Sequence, residues 1–410
     1  MTCYEDLMYR GLIKDVASDD LKKVLDGKPI TFYWGCDPTA DSLTIGHYSS
    51  LITAKRLAKY GHHPILLVGG ATGLIGDPRP TAEREIIAKE VIEKNIEGIK
   101  KQVLNIFDGK AEVVNNYDWF KDMDLISFLR DTGKYININY MLDKDIIRRR
   151  LETGITFAEF TYTLMQGYDF LHLYETKGVT MQVEGSDQWG NITTGIELIN
   201  KKLGKTAHAF TMPLILDANG KKIGKSEGNA LWLDKNKTSS YELYQYLINT
   251  DDTKVEEYLK VFTFLSKEEI EDIMKRHWEK PEDRVAQKAL AKEFITNLHG
   301  EEEFKKALEV SEALFTEKIK SLKASDITAS IKDVPNFKFK GNESLIDLLV
   351  NNNICSSKRE ARELLTAGAI SINNEKHTDE QEIITKDFAI DDKIILVKKG
   401  KKKFYIGYFD

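Results

Sequence analysis

Apolar positions in the first half of the chain fall in short continuous runs, whereas those of the second half recur mostly at helical spacing. Ile30–Trp34 is a β-branched and aromatic run that reads as a buried strand. A loop punctuated by Gly35, Pro38 and Gly46 follows, and then a helical pattern from His47 through Leu51, Leu57 and Ala58. His63–Gly70 is a second continuous apolar run, as a strand covered on both faces would be. Strand, helix and strand at this spacing predict a βαβ unit with a parallel, right-handed crossover. A long charged helix from about Thr81 to Phe107 comes next. Ala111–Tyr117, Val179–Gly185 and Thr211–Leu216 supply three further strands, the first ending in polar Asn115-Asn116. Between Asp122 and about Gly178 the pattern is helical, with breaks at Gly133 and Thr153-Gly154.

Residues 240–316 are helical throughout, and Glu317–Asn342 is a mixed polar stretch carrying Pro335. Leu345–Asn351 and Ser357–Ala367 read as short helices, Ala369–Asn373 as a strand, and Lys393–Tyr408 as a hairpin turning at Lys399-Gly400. The expected fold class is therefore α/β, with a Rossmann-like parallel sheet in residues 1–220 and a helical insertion at about 120–160. A loop and linker at 221–240, an all-helical domain at 241–322, a linker at 323–341 and a small α+β domain at 342–410 complete it.

Composition narrows the function classes. At 410 residues the chain is long enough for two or three domains with their own cores. A charged fraction of 30% with a net charge of −6 excludes a polycation that coats nucleic acid indiscriminately, so any such contact must come from local basic surfaces. Cys3, Cys36 and Cys355 are scattered, which excludes a disulfide framework or a cysteine zinc site and suits a reducing cytoplasm. No apolar run approaches the ~20 residues that span a bilayer and no signal pattern opens the chain, so no membrane association is expected.

Chemistry concentrates in loops. The strand–loop–helix turn at 31–47 suits phosphate, because free N–H groups and the positive end of the helix dipole face the loop. Gly69–Pro78 is a second glycine-rich loop at a strand's carboxyl end, and two such loops side by side form the ligand crevice of an open α/β sheet. Asp217–Ser226 places three lysines in a glycine-bearing loop. Tyr162, Gln166 and Asp169 fall at i, i+4 and i+7 and share one helix face. By spacing alone this stripe reads as a polar face and the lysine loop as a solvated turn.

Taken together, four stretches carry a family resemblance. Asp37-Pro-Thr-Ala-Asp-Ser-Leu-Thr-Ile-Gly-His47 resembles the HIGH motif of class I aminoacyl-tRNA synthetases, and Lys222-Ile-Gly-Lys-Ser226 resembles their KMSKS motif. Gly69-Gly-Ala-Thr-Gly-Leu-Ile-Gly-Asp-Pro78 and Gly185-Ser-Asp-Gln-Trp-Gly-Asn191 are similar to the bacterial-type tyrosyl-tRNA synthetases. The last domain resembles the small RNA-binding fold named after ribosomal protein S-four.

The resemblance implies a tyrosine–tRNA ligase: L-tyrosine is activated by ATP with Mg²⁺ and passed to tRNA(Tyr), with no metal site in the protein itself. It implies a homodimer joined through helices around Asp131–Leu142. Tyr33 and Asp169 would hold the phenol hydroxyl, and Tyr162, Gln166 and Asp77 the amino group, with Gln182 close behind. Thr39, Thr44, His47, Lys222, Lys225 and Ser226 would carry the activation step. Gly35, Asp37, Gly46, Gly185, Asp187 and Gln188 would complete the nucleotide site. Arg148, Arg149 and Arg150, together with Lys358, Arg359, Arg362, Lys401 and Lys402, are the candidates for tRNA contact. The sequence departs from the family pattern where Thr44 replaces the first HIGH histidine, in the short loop Pro78–Arg84, and at Glu184, where glycine is common. The competing readings are a catalytically impaired RNA-binding paralogue, supported by Thr44 alone, and a tryptophan enzyme, disfavoured because indole has no hydroxyl for Asp169 and Tyr33.

Overall fold

The computed structural model describes residues 1–79, 84–226, 229–314, 317–331, 334–400 and 403–409. It packs as two units: residues 1–234 with 250–290, and residues 235–249 with 291–410.

The first unit is built on six strands: β1 (Val16–Ala17), β2 (Thr31–Cys36), β3 (His63–Val68), β4 (Glu112–Asn115), β5 (Val179–Gly185) and β6 (His208–Met212). Their order is β1-β6-β5-β2-β3-β4, with β2 to β6 parallel and β1 antiparallel. Phe32, Tyr33 and Trp34 of β2 and Ile65–Val68 of β3 are all buried, which explains their unbroken apolar runs. The chain turns from β2 to β3 and β4 on one side and reaches β5 and β6 on the other. The gap between β2 and β5 is thus the topological switch point, where ligands bind at the strands' carboxyl ends. Pairing between them covers Thr31↔Val179, Phe32↔Met181 and Tyr33↔Gln182. Beyond that point the Gly35 N–H donates to the side chain of Glu184.

Two helices line this gap. Ile45–Lys59 starts at Thr44. Phe157–Lys177 starts with a capping box between Thr156 and Glu159 and stops at Gly178, whose φ of 66° suits glycine. Several expectations change. The last parallel strand covers His208–Met212 instead of 211–216, since Pro213 has no N–H to continue a ladder. The long charged helix begins at Lys89, after non-helical residues 84–88. β1 was missed because two residues carry no readable period.

The expected domain division also gives way. Residues 250–290 pack with the first unit: Phe262 stacks on Tyr48 at 6.3 Å, and Arg56 and Arg10 donate to the Thr263 carbonyl. In the second unit the stretch read as a linker at 323–341 holds the helix Ala324–Ser330 and the strand Asn336–Phe339. That strand runs parallel to Lys403–Phe409 at the edge of a five-stranded sheet, with Phe337 and Phe339 buried. Val310, Leu314 and Ile327 share a core with Ile390, Ile394, Leu396 and Ile406, so the helices before the small α+β segment close over it. Among the described residues no helix is long and apolar enough to cross a membrane.

Candidate active site

At the switch point one hydrogen-bonded chain crosses the first unit. Tyr162 Oη donates to Asp37 Oδ2 at 2.8 Å, and Thr72 Oγ1 donates to Asp37 Oδ1 at 2.7 Å. Asn116 Nδ2 donates both to Thr72 Oγ1 at 2.9 Å and to Asp169 Oδ2 at 3.1 Å. Trp119 Nε1 closes the chain on Asp169 Oδ1 at 2.9 Å. Gly69 allows it: a Cβ there would overlap Asp37 Oδ1 and Thr72 Oγ1. Alongside, Asp77 accepts from Gln188 Nε2 at 3.0 Å and Asn191 Nδ2 at 3.1 Å. Two groups beside this chain have no partner among the described residues: the buried Tyr33 hydroxyl and both polar atoms of the buried Gln182 side chain. Burial raises the Asp169 carboxyl to about 8 against the pull of Asn116 and Trp119, and raises Asp37 to about 6 against Thr72 and Tyr162. Loss of hydration also lifts Asp77, and it lifts Glu184 well above the usual carboxylate range.

Of the residues singled out from sequence, Tyr33, Asp77, Tyr162, Asp169 and Gln182 meet here, with half-buried Gln166 on the same helix face as Tyr162. Asp37 and Gln188, expected on the nucleotide side, are bonded into this polar group. Thr72, Asn116, Trp119 and Asn191 were not foreseen. The signal for Asn116 was present in the paired asparagines that end β4; nothing local marks the others.

The HIGH-like and KMSKS-like segments meet on the other wall. The Ile45 N–H donates to Leu231 O at 3.0 Å, the Leu231 N–H to Gly224 O at 2.9 Å, and the Leu233 N–H to Leu43 O at 2.8 Å. The lysine loop is thereby stitched backbone to backbone onto the start of the helix Ile45–Lys59. Gly224 has φ 83°, and a Cβ on it would overlap Cγ2 of Ile45. Exposed Lys222 lies 3.5 Å from exposed Asp187, which follows β5 and Gly185. Thr39 is exposed and its N–H donates to Asp37 O at 2.9 Å, while Gly35 and Gly46 flank the loop between them. Lys225 and Ser226 form a short strand pairing with Asn229–Ala230; the positions of their side chains lie outside the described set.

The basic candidates for tRNA contact differ among themselves. Arg148 and Arg149 are exposed, but Arg150 is buried in a bidentate pair with Glu159 at 2.6 and 2.8 Å and is not free to meet RNA. Lys358, Arg359 and Arg362 each face a carboxylate, of Asp347, Glu363 and Glu380 respectively. Lys401 and Lys402 lie outside the described residues.

A parallel sheet whose switch point joins a HIGH-like helix start to a KMSKS-like loop defines a class I aminoacyl-tRNA synthetase. Residues 25–316 match the family model of tRNA synthetases class I (W and Y), and residues 326–406 match the tyrosine–tRNA ligase SYY-like C-terminal domain. The chain is 47% identical to the tyrosine–tRNA ligase of Streptococcus uberis and 48% identical to that of Geobacillus stearothermophilus, covering 99% of both sequences in each case. A C-terminally truncated mitochondrial tyrosyl-tRNA synthetase from Aspergillus nidulans superposes with a TM-score of 0.68 at 35% identity, over 77% of this chain and 94% of that one. A tryptophanyl-tRNA synthetase from Encephalitozoon cuniculi, at 14% identity and TM-score 0.53, shares the fold over 80% of this chain and 90% of its own. The chain belongs to the bacterial-type tyrosyl-tRNA synthetases. Its activity is that of a tyrosine–tRNA ligase, with tyrosine, ATP and tRNA as substrates.

Proposed function

We propose that the buried polar chain seats tyrosine and that the stitched HIGH-like and KMSKS-like segments hold ATP beside it. Tyr33 and Asp169 take the phenol hydroxyl; Tyr162, Gln166 and Asp77 take the ammonium group, with Gln182 behind them. The observation that carries this reading is a pair of buried polar side chains with no partner among the described residues: Tyr33, beside Asp169, and Gln182, opposite Tyr33 on β5. Buried polar groups are nearly always hydrogen-bonded, so these two call for a polar ligand. Thr39, His47 and Gly46 address the nucleotide from one side, with Thr44 behind His47 and Gly35, Asp37, Gly185, Asp187 and Gln188 around it. Lys222, Lys225 and Ser226 are assigned to its outer phosphates, and Mg²⁺ enters with ATP. The tyrosine carboxylate is already a nucleophile: it bonds to the α-phosphorus as the bond to pyrophosphate breaks. Neutralising charge on the departing oxygens is the work left to the lysines. The tRNA 3′-terminal hydroxyl then attacks the acyl carbon and AMP leaves.

ATP–pyrophosphate exchange with tyrosine, phenylalanine and tryptophan tests this assignment. Tyrosine alone should support rapid exchange, and comparable exchange with either of the others overturns the pocket. A homodimer is the assembly we favour, because Leu125, Ile126, Leu129 and Ile138 of the inserted helices are exposed, the first two at 65 and 67%. Leu125→Glu with Ile126→Glu should halve the mass seen by light scattering. Arg148 and Arg149, with the basic residues of the last domain, are proposed to meet tRNA. A cytoplasmic site of action fits the free thiols Cys3, Cys36 and Cys355.

A further inference from the structure

Thr44 occupies the first position of the HIGH-like segment, where its side chain is too short to replace an imidazole. Its contacts show a different use. The Thr44 backbone N–H donates to Nδ1 of His47 at 3.2 Å, and Thr44 Oγ1 lies 2.9 Å from the same nitrogen. A nitrogen that accepts from an N–H cannot itself carry a proton, so Nδ1 is the bare nitrogen of the ring. The hydroxyl, meeting a bare nitrogen, must be the donor. The ring proton therefore sits on Nε2, which has no hydrogen-bond partner among the described residues, and His47 is exposed on that wall of the cleft.

We propose that Thr44 is a positioning residue for His47, holding it as an uncharged imidazole that offers Nε2–H to the nucleotide. The inference rests on the reading of His47 as an ATP contact. The groups around the ring agree with it. The low-polarity protein packed around this solvent-open ring lowers the His47 pKa first; Asp187, beyond β5, opposes this, while Lys222 of the lysine loop and Arg84 of the loop after Asp77 add to it. A cationic His47 would thus sit beside two other cations. The hydrogen bond from Thr44 adds to the same preference, because a donor on Nδ1 stabilises the neutral ring alone.

The test uses the full-length enzyme with ¹⁵N-labelled histidine. In the wild type, the resonances that disappear in His47→Asn should show a protonated Nε2 and a bare Nδ1 at pH 7.5. Thr44→Val keeps the volume and the backbone donor but removes the hydroxyl. It should raise the His47 pKa, moving the acid limb of ATP–pyrophosphate exchange to higher pH by about half to one unit, the worth of one hydrogen bond. Thr44→Ser should restore the wild-type limb, and tyrosine KM should stay unchanged in all variants. Thr44→Ala should lower the exchange rate less than His47→Ala does, since the backbone donor survives. An Nδ1–H tautomer in the wild type, or an unmoved acid limb in Thr44→Val, overturns the positioning role. If His47→Asn and His47→Ala leave exchange intact, the reading of His47 as an ATP contact falls instead.

Discussion

Gly224 is where the lysine loop touches the start of the helix Ile45–Lys59, and Gly224→Ala asks whether that docked arrangement is the one that meets ATP. Its φ of 83° lies in the left-handed region, which costs an L-residue about 1–2 kcal/mol. The added methyl also overlaps Cγ2 of Ile45, a fully buried β-branched side chain with little freedom at χ1. The loop backbone has to give instead, an overpacking cost of about 1–3 kcal/mol. The same strip carries the Leu231 N–H to Gly224 O and Ile45 N–H to Leu231 O bonds, so the shift peels the loop from the helix. Together these terms set about 2–5 kcal/mol against the docked state, or roughly 30-fold to a few thousand-fold in kcat/KM for ATP. Tyrosine binding draws on none of these atoms and should change less than about twofold. Exchange rates against ATP concentration, equilibrium dialysis with tyrosine, and a thermal melt make the measurement. Exchange within about threefold of wild type, with the fold intact, would refute the claim that the docked loop is the active one.

Three further outcomes follow from the site. Tyr33→Phe removes a buried hydroxyl that has no partner among the described residues; losing its bond to the substrate phenol should lower kcat/KM for tyrosine by about 2- to 13-fold. The discrimination against phenylalanine should narrow in the same exchange assay, because no orphan hydroxyl remains. Asp169, raised to about 8 by burial, contributes stability below its unfolded pKa that is lost as pH rises towards 8. Asp169→Asn should therefore flatten the fall of Tm between pH 5 and 8, and an unchanged slope counts against a buried, proton-holding carboxyl. Arg359→Glu with Arg362→Glu should weaken tRNA binding and shallow its salt dependence in aminoacylation, while pyrophosphate exchange stays at the wild-type rate.

How far the chain was readable depended on whether the deciding contacts were local. β2 and β3 stand out because burial on both faces leaves no polar interruption, and Phe157–Lys177 because Thr156, Glu159 and Gly178 mark its ends in the chain itself. The periodicity of residues 252–262 shows an apolar face but not its partner; contacts made across the fold, Tyr48 against Phe262 and Arg10 on the Lys260 carbonyl, assign it to the first unit. Asn336–Phe339 alternates as an edge strand should, yet Pro335 and its polar neighbours made it read as linker. β1 is too short for any pattern, and its place is set by pairing with β6 alone.

The polar chain of the active site is unreadable for a related reason. Its members come from the ends of three different strands and from one helix: Asp37 follows β2, Thr72 follows β3, Asn116 and Trp119 follow β4, and Tyr162 and Asp169 belong to Phe157–Lys177. These groups are separated along the chain by crossovers, so no window holds two members except the segment after β4, with Asn116 and Trp119, and the helix, where helical spacing revealed the shared face. What the sequence does contain is a weaker rule. In a parallel sheet every strand's carboxyl end opens on the same edge, so polar residues that close separate apolar runs are candidates for one cluster, however far apart they are. Asn115-Asn116 at the end of a strand obeyed that rule as plainly as Asp37 did. Trp119 did not, because an indole three residues on has no polar signature until Asp169 is placed beside it.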